Sequence, residues 1–495
     1  MIELGLFFRP LSILKIHEGN FAPLKKKIIP QFFKVSTDSR TIAQGQVFIS
    51  IKGEKFDGDD FLTEVASKCS LLIVQKNEKT DVAILELVKE FPGLCIIQVA
   101  NTILYLQELA SIHTAIWQND YQGVLVGIAG SNGKTTTKEM TAHIVKHFLD
   151  HEMVSTLKNN NNHIGMPLTL LSIDPRVTKV AIVEYGSNHP GEMEVLCRVA
   201  LPQIAITTNI GFTHMEFFQN LQEVTHEEAA LYRHYAMSTH KHRRFFLLNK
   251  DDRELGILPK YPWMIQFSIA ESSKSEVDYY YEIQAGHLKV FQSSDSDSDS
   301  NAPIFKVDNP FILGEHNFIN LGNALVIAQM IQDEFSIHLG ARDDLETAAG
   351  LFRPTANRSQ WLDSKFGNKI FLDAYNANPS SMKVALKAFK DFCEQRGDSN
   401  LMECIVILAD MKELGESEQQ HHQELGTLVL NLGFHNVVYI GSMSDEFQKG
   451  LGRPCEHYLD SRSAKIFWPK WVKEHPYIFL KGSRSLQLES LVDLG

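Results

Sequence analysis

The stretch Val124-Leu-Val-Gly-Ile-Ala-Gly-Ser-Asn-Gly-Lys-Thr-Thr-Thr137 decides how the rest of the chain is read. Its continuous apolar run predicts a buried strand that empties into a glycine-rich turn and then a helix. Gly130 and Gly133 let the backbone curl so that its N–H groups converge, Lys134 adds a mobile positive charge, and the positive end of the following helix faces the same point. That combination holds phosphate. Thr135 stands where a loop hydroxyl ligates magnesium. The spacing departs from the common G-x-x-x-x-G-K-[ST] form, because Ile128 occupies the place of the first glycine. An ordinary strand-to-helix turn is the plainer alternative. Met140, Ile144 and Phe148, with Val145 and Leu149 beside them, favour phosphate, since they give the helix one apolar face that aims its N-terminus at the loop.

Working outward, 495 residues exceed one hydrophobic core and suggest about three domains. Hydrophobic content of 44% with 22% charged residues is that of a globular, water-soluble protein. A net charge of -12 argues against a nucleic-acid backbone as partner, and the short basic run Lys241-His-Arg-Arg244 reads as a solvated loop. Cys69, Cys95, Cys197, Cys393, Cys404 and Cys455 form no C-x-x-C pair, which disfavours a zinc site or a disulfide framework and leads us to expect reduced thiols and a cytoplasmic address. The first 21 residues carry Glu3, Arg9, Lys15, His17 and Glu18, which does not suit a signal peptide, and no apolar run is long enough to span a bilayer, so no direct membrane insertion is expected.

The pattern along the chain predicts an α/β fold of three domains. Residues 1–116 alternate short apolar runs with polar turns and end in a helix over 102–116, as in a small N-terminal α/β domain. Residues 117–350 repeat strand, loop and helix, with strands at 124–129, 179–184, 204–209 and 244–249. They read as a central P-loop domain built on a mostly parallel sheet. Residues 351–495 repeat the pattern, with strands at 369–373, 405–410, 437–441 and 477–481 and helices at 381–392 and 419–432. This is a C-terminal Rossmann-like, doubly wound domain, hinged at the proline-containing stretch near 354. The acidic run Ser293-Ser-Asp-Ser-Asp-Ser-Asp-Ser-Asn301 lacks the glycine turn and closing glutamate of a calcium loop and reads as solvated.

In a parallel sheet the functional loops leave the strand C-terminal ends, and the polar residues gather there. Glu184 ends one strand and is placed as a second magnesium ligand. Asn209 and His214 follow another, and His214 is either a satisfied structural histidine or a metal-facing one. Phosphate loop, hydroxyl and strand-end carboxylate together are the apparatus of a nucleoside triphosphate enzyme.

Five motifs then fall in a familiar order. Gly130-Ser-Asn-Gly-Lys-Thr-Thr136, Glu184-Tyr-Gly-Ser-Asn-His-Pro-Gly-Glu192, Asn209-Ile-Gly-Phe-Thr-His214, Gly314-Glu-His-Asn-Phe-Ile-Asn320 and Asp373-Ala-Tyr-Asn-Ala-Asn-Pro379 resemble those of the Mur ligases. The resemblance spans essentially the whole chain, including Asp38-Ser-Arg40, Phe56-Asp-Gly58 and Lys481-Gly-Ser-Arg484. Tyr375-Asn-Ala-Asn-Pro-Ser-Ser-Met382 and Leu408-Ala-Asp-Met-Lys-Glu-Leu-Gly415 point within the family to the branch that adds a dipeptide.

The resemblance implies a first domain holding the UDP end of the substrate, a central ATPase domain, and a third domain bringing the amine and completing the ATP site. It implies ATP and Mg2+ as cofactors, with UDP-N-acetylmuramoyl-tripeptide and D-alanyl-D-alanine as partners joined through an acyl phosphate in peptidoglycan precursor synthesis. A monomer is expected. By matching position, Gly130, Ser131, Asn132, Gly133, Lys134, Thr135 and Thr136 would hold the phosphates, with Thr135 and Glu184 on a first magnesium and His214 on a second. Asn317 and Asn320 would face adenine, Asp373 the ribose, and Arg358 would reach the phosphates on closure. Ser39 and Arg40 would meet the uracil-nucleotide end. Asn160, Asn161 and Asn162 would contact the substrate near the γ-phosphate, and Tyr375, Asn376 and Asn378 would line the third-domain side.

Two departures stand out. Family members commonly carry a carbamylated lysine about fourteen residues after the histidine, where this chain has Glu228. We expect Glu228, or in second place Glu227, to supply that negative charge directly; a surface glutamate on a helix is the alternative. His163 and Leu372 also replace a glutamate and an aspartate usual in the family. Competing readings are a related ligase that adds a single amino acid, and a nucleotide-binding switch without ligation; the retained Glu184, His214, Asn317 and Asp373 speak against the switch.

Overall fold

The computed structural model describes residues 2–17, 32–53, 56–238, 243–284, 286–293, 302–395 and 401–492. Residues 241–242 of the basic run and 294–301 of the acidic run lie outside them.

Three mostly parallel sheets follow one another along the chain. The first has five strands in the order Ile13–His17, Cys95–Val99, Leu71–Gln75, Val47–Ile49 and Val35–Ser36, parallel but for the first pair. Helices Leu62–Ala66 and Glu78–Glu90 cover one face through Leu62, Val65, Ile84 and Leu87. The other face meets the helix Thr102–Asp120, which starts on an Asn101 cap and runs past the expected end at 116. Tyr105, Leu106, Leu109 and Trp117 of this helix lie in one continuous core with Val47 and Ile73 of the first sheet and Leu125 and Val183 of the second. Gly123 permits the turn after it, because a Cβ there would sit 1.9 Å from the Trp117 ring.

The central sheet has nine strands, in the order Phe305–Asp308, His287–Gln292, Tyr279–Gln284, Met264–Ser268, Phe245–Asn249, Ile204–Thr207, Val124–Ala129, Val180–Glu184 and Met153–Ser155. Val124, Val126 and Ile128 point to one face, among Met140, Ile144 and Leu325, while Leu125 and Ala129 point to the other. Burial on both faces is why this strand reads as an unbroken apolar run. Five strands beyond the four expected complete the sheet. Met153–Ser155 has only three residues, and Tyr279–Gln284, His287–Gln292 and Phe305–Asp308 form an antiparallel extension whose alternating polar residues lack the signature of a buried parallel strand.

The third sheet runs Gln360–Asp363, Lys369–Asp373, Tyr477–Lys481, Cys404–Ala409, Asn436–Ile440 and Glu456–Tyr458, parallel except for its first strand and packed on both faces. Together these make an α/β fold of three domains. Among the described residues no helix is long and apolar enough to cross a membrane.

Candidate functional site

Register places the site. Val124–Ala129 lies between Val180–Glu184 and Ile204–Thr207, pairing Ile128 with Glu184 and Ala129 with Thr207, so the glycine turn leaves the sheet between a carboxylate and a threonine. Gly130 has φ 120° and a Cβ on it would lie 2.2 Å from Thr208 Oγ1; Gly133 has φ 81° and a Cβ on it would lie 3.0 Å from Asn320 Oδ1. Side chains at either place would break the curl. The helix Lys134–Leu149 begins at once, burying Met140, Ile144, Val145 and Leu149, while Phe148 is half-buried.

Thr135 Oγ1 lies 3.1 and 3.0 Å from the two oxygens of Glu184, and Asn161 Nδ2 donates to Glu184 at 2.8 Å. Glu184 is 2% exposed, at the end of its strand. Lys134 Nζ folds back to donate to Gly130 O and approaches Glu228 at 3.8 Å.

Glu228 is no surface residue. It is 2% exposed, and its Oε2 accepts the Gly130 N–H at 2.9 Å. Burial pushes its carboxyl up, against the opposing pull of Lys134, the Gly130 N–H and His214. Glu227, its neighbour on the helix Leu221–Glu228, turns the other way and accepts the N–H groups of Gly191 and Met193 at 2.8 and 2.7 Å. Of the two candidates, only Glu228 reaches the loop.

His214 Nδ1 pairs with Glu413 Oε2 at 2.8 Å, across the boundary between the second and third sheets. Both residues hold left-handed backbone, φ 51° and 64°, a strained conformation for non-glycine residues. The histidine beside Glu413 holds that carboxyl below its usual range. Glu413 lies in a motif recognised in the sequence without a role; nothing local marks it, because its partner is distant in the chain.

Thr136, Met140, Ile312, Asn317, Phe352 and Arg358 line a cleft beside the helix that follows the loop. Asn317 donates to Leu313 O at 2.7 Å, leaving its carbonyl for a ligand. Asn320 is absent from that lining, since three residues on it faces Gly133 instead. The Arg358 guanidinium lies 3.6 Å over the Tyr375 ring. Asp373 accepts the Ser359 N–H at 3.2 Å and pairs with Lys481, which also donates to Asn376 O at 3.1 Å.

The remaining candidates are dispersed. Asn162 Oδ1 accepts the N–H groups of Ile164 and Gly165 at the start of the helix Gly165–Leu171, so that oxygen is spent on a cap. The Asn160 backbone packs under Gly165. Ser39 and Arg40 lie in the turn after Val35–Ser36 on the first sheet; Ser39 is buried, and exposed Arg40 pairs with Asp38 at 2.7 Å, which holds that carboxyl at about 2. Asn376 Oδ1 accepts the N–H of its neighbour Ala377. Asn378 donates to Asn132 of the loop at 2.8 Å.

Comparison with known proteins agrees with this arrangement. Residues 128–328 match the Mur ligase middle domain and residues 357–484 the Mur ligase glutamate ligase domain, so the two halves of the site fall in two matched domains of one family. The chain is a Mur ligase. It is 28% identical to the UDP-N-acetylmuramoyl-tripeptide--D-alanyl-D-alanine ligase of Bacillus subtilis over 92% of each chain, and 28% identical to that of Escherichia coli over 92% of each. Its fold is that of crystallised MurF proteins. The enzyme from Acinetobacter baumannii superposes with TM-score 0.74 at 23% identity over 94% of each chain, and that from Thermotoga maritima, solved with ADP, with TM-score 0.70 at 21% identity over 93% of this chain and 96% of that one. In this Mur ligase Glu228 meets the phosphate loop, the cleft at Asn317 lies beside the helix that the loop begins, and the paired His214 and Glu413 join the second domain to the third.

Proposed function

We propose that this Mur ligase uses ATP to join D-alanyl-D-alanine to UDP-N-acetylmuramoyl-tripeptide, the reaction named for its curated relatives. One observation carries the reading: a phosphate loop with the Thr135–Glu184 contact on one side and buried Glu228 on the other, closed over by third-domain side chains. In the first half-reaction a tripeptide carboxylate oxygen attacks the γ-phosphorus, and the bond to the β–γ bridging oxygen breaks to release ADP. The dipeptide amine then attacks the acyl carbon, loses a proton, and expels inorganic phosphate. A carboxylate is a poor electrophile, and phosphorylation supplies its leaving group.

The loop N–H groups and Lys134 bind the β- and γ-phosphates. Phosphate oxygens would replace the backbone carbonyls that Lys134 now contacts. Asn317 and its cleft take adenine, Asp373 the ribose, and Arg358, held flat on Tyr375, swings to the phosphates. Asn320 serves the loop through Gly133. Residues 1–116 take the UDP end through Ser39 and Arg40, residues 117–350 carry ATP, and residues 351–495 bring the dipeptide. Asn160 and Asn161, with Tyr375 and Asn376, face the acyl and amine substrates.

Magnesium fits the donor set. Among the described residues no three His, Cys, Asp or Glu side chains form a metal cage, which suits a hard cation that keeps water and phosphate oxygens and takes one or two protein oxygens. Thr135 and Glu184 would hold one ion, and His214 and Glu228 would hold a second. Bound there, magnesium would neutralise charge on the transferring phosphoryl group. Glu228 supplies directly the negative charge that other family members obtain from a carbamylated lysine.

The test is phosphate release by the purified protein with ATP, magnesium and UDP-N-acetylmuramoyl-tripeptide. Release that requires D-alanyl-D-alanine supports the reading. Release with a single amino acid in its place favours a sibling ligase, and no turnover with any acceptor favours a nucleotide-binding switch.

A further inference from the structure

We propose that Asn378 and Ser380 of the third domain are positioning residues for the phosphate loop, closing a hydrogen-bonded ring on Asn132 that holds the loop in its nucleotide-binding shape only while the third domain is seated. The inference rests on the loop binding ATP phosphates.

The ring has a fixed polarity. Asn378 Oδ1 accepts the Ser381 backbone N–H at 2.8 Å in the first turn of the helix Pro379–Gln395. A backbone N–H can only donate, so the Asn378 amide nitrogen must face the other way, and it donates to Asn132 Oδ1 at 2.8 Å. The Asn132 amide nitrogen is then the end that meets Ser380 Oγ at 3.1 Å, and the Ser380 hydroxyl returns its proton to Asn378 Oδ1 at 3.0 Å. The three side chains leave no amide orientation free.

Asn132 is therefore divided between two domains. Its backbone N–H donates to Asn209 Oδ1 at 3.1 Å, and its carbonyl accepts from Asn209 Nδ2 at 3.1 Å and Thr208 Oγ1 at 2.6 Å, all within the central domain. Among the described residues its side chain bonds only to third-domain residues 246 and 248 positions away. Gly211 leaves room for the ring, since a Cβ there would lie 3.3 Å from both Asn132 Nδ2 and Ser380 Oγ. Asn132 sits between Ser131 and Gly133, whose N–H groups must converge on phosphate, so fixing its side chain from outside fixes the curl of the loop. A third domain out of place leaves Asn132 free to turn and the loop unsupported on that side.

The experiment measures ATP affinity by calorimetry and KM for ATP in the full chain. Asn378→Ala should weaken both by roughly 10-fold and Ser380→Ala by roughly 3-fold, with kcat changed less than KM. Asn378→Asp should stay within about 3-fold of wild type, because its carboxylate still accepts the Ser381 N–H and a reversed Asn132 amide, while the Ser380 hydroxyl turns to the Asn132 carbonyl. Loss of a helix cap alone would lower the melting temperature and leave KM for ATP unmoved. Ser380→Ala keeps the cap and serves if Asn378→Ala does not fold. Wild-type affinity in folded Asn378→Ala and Ser380→Ala proteins, or strict additivity of Asn378→Ala with Asn132→Ala, overturns the proposal. Failure of the wild type to bind ATP overturns instead the reading of the loop.

Discussion

Replacing Glu228 by glutamine separates stability from function. At the 3.8 Å separation of Lys134 and Glu228, a unit-charge pair in an effective dielectric of about 20 gains about 4 kcal/mol. Taking the carboxylate out of water to 2% exposure costs several kcal/mol, so the two terms nearly cancel. The Gly130 N–H bond survives in the variant, because the glutamine carbonyl can accept it in the same place. Glu228→Gln leaves Lys134 without its counter-charge but still bonded to Gly130 O and Ser131 O, and should cost about 1–3 kcal/mol, while Glu228→Ala, which also strands that N–H, should lose about 2 kcal/mol more. Turnover of Glu228→Gln should fall on the order of 100-fold or more, with the magnesium concentration for half-maximal activity raised, since one less negative charge faces the cation. Denaturant unfolding gives the first quantity and phosphate release against a magnesium titration the second. A glutamine variant with wild-type turnover and wild-type magnesium dependence would refute the assignment.

Three further outcomes are expected. Gly133→Ala forces a Cβ into φ 81° and against Asn320, and should cost about 1–2 kcal/mol of stability with a clear loss of ATP affinity, both readable by melting and calorimetry. Glu413→Ala releases His214 from its third-domain partner; because the carboxylate is half exposed the loss in stability should be under about 1 kcal/mol, whereas kcat should drop several-fold, and an unchanged kcat would remove the pair from the mechanism. His113 is fully buried, and burial lowers its pKa to about 4 although it hydrogen-bonds Ile173 O. Below about pH 6.5 the unfolded chain takes up a proton that the folded chain refuses, so this residue's share of stability is present at neutral pH and lost as pH falls towards 4. Between pH 7 and 5 the loss should be about 2 kcal/mol, and His113→Leu should show a shallower fall in denaturation curves over that interval.

Much of the site could be read along the chain because its parts are local. A phosphate loop needs glycines, a lysine and a hydroxyl within a few residues of a strand end, and such a pattern survives without knowledge of the fold. Glu184 was legible for the same reason, as a carboxylate closing a buried run. The antiparallel extension of the central sheet was not, because its strands owe their place to neighbours on the sheet more than to any periodicity of their own. Asn162 and Asn320 show a second limit: an asparagine that caps a helix or braces a loop has the same letter as one that binds a ligand.

The stretch from Val124 to Thr137 determined by itself that a phosphate-holding turn stands between a buried strand and an amphipathic helix, since backbone curvature and apolar periodicity are properties of neighbouring residues. Tertiary structure alone decided what surrounds that turn. Glu227 and Glu228 are adjacent and chemically identical, yet a single step of about 100° around a helix sends one to Gly191 and the other to Gly130. His214 meets Glu413, and Asn132 meets Asn378 and Ser380, only because loops of the third domain lie against loops of the second. Contacts between residues so far apart leave no spacing in the sequence to be read; they exist where the packing of two domains brings their loops to the same point.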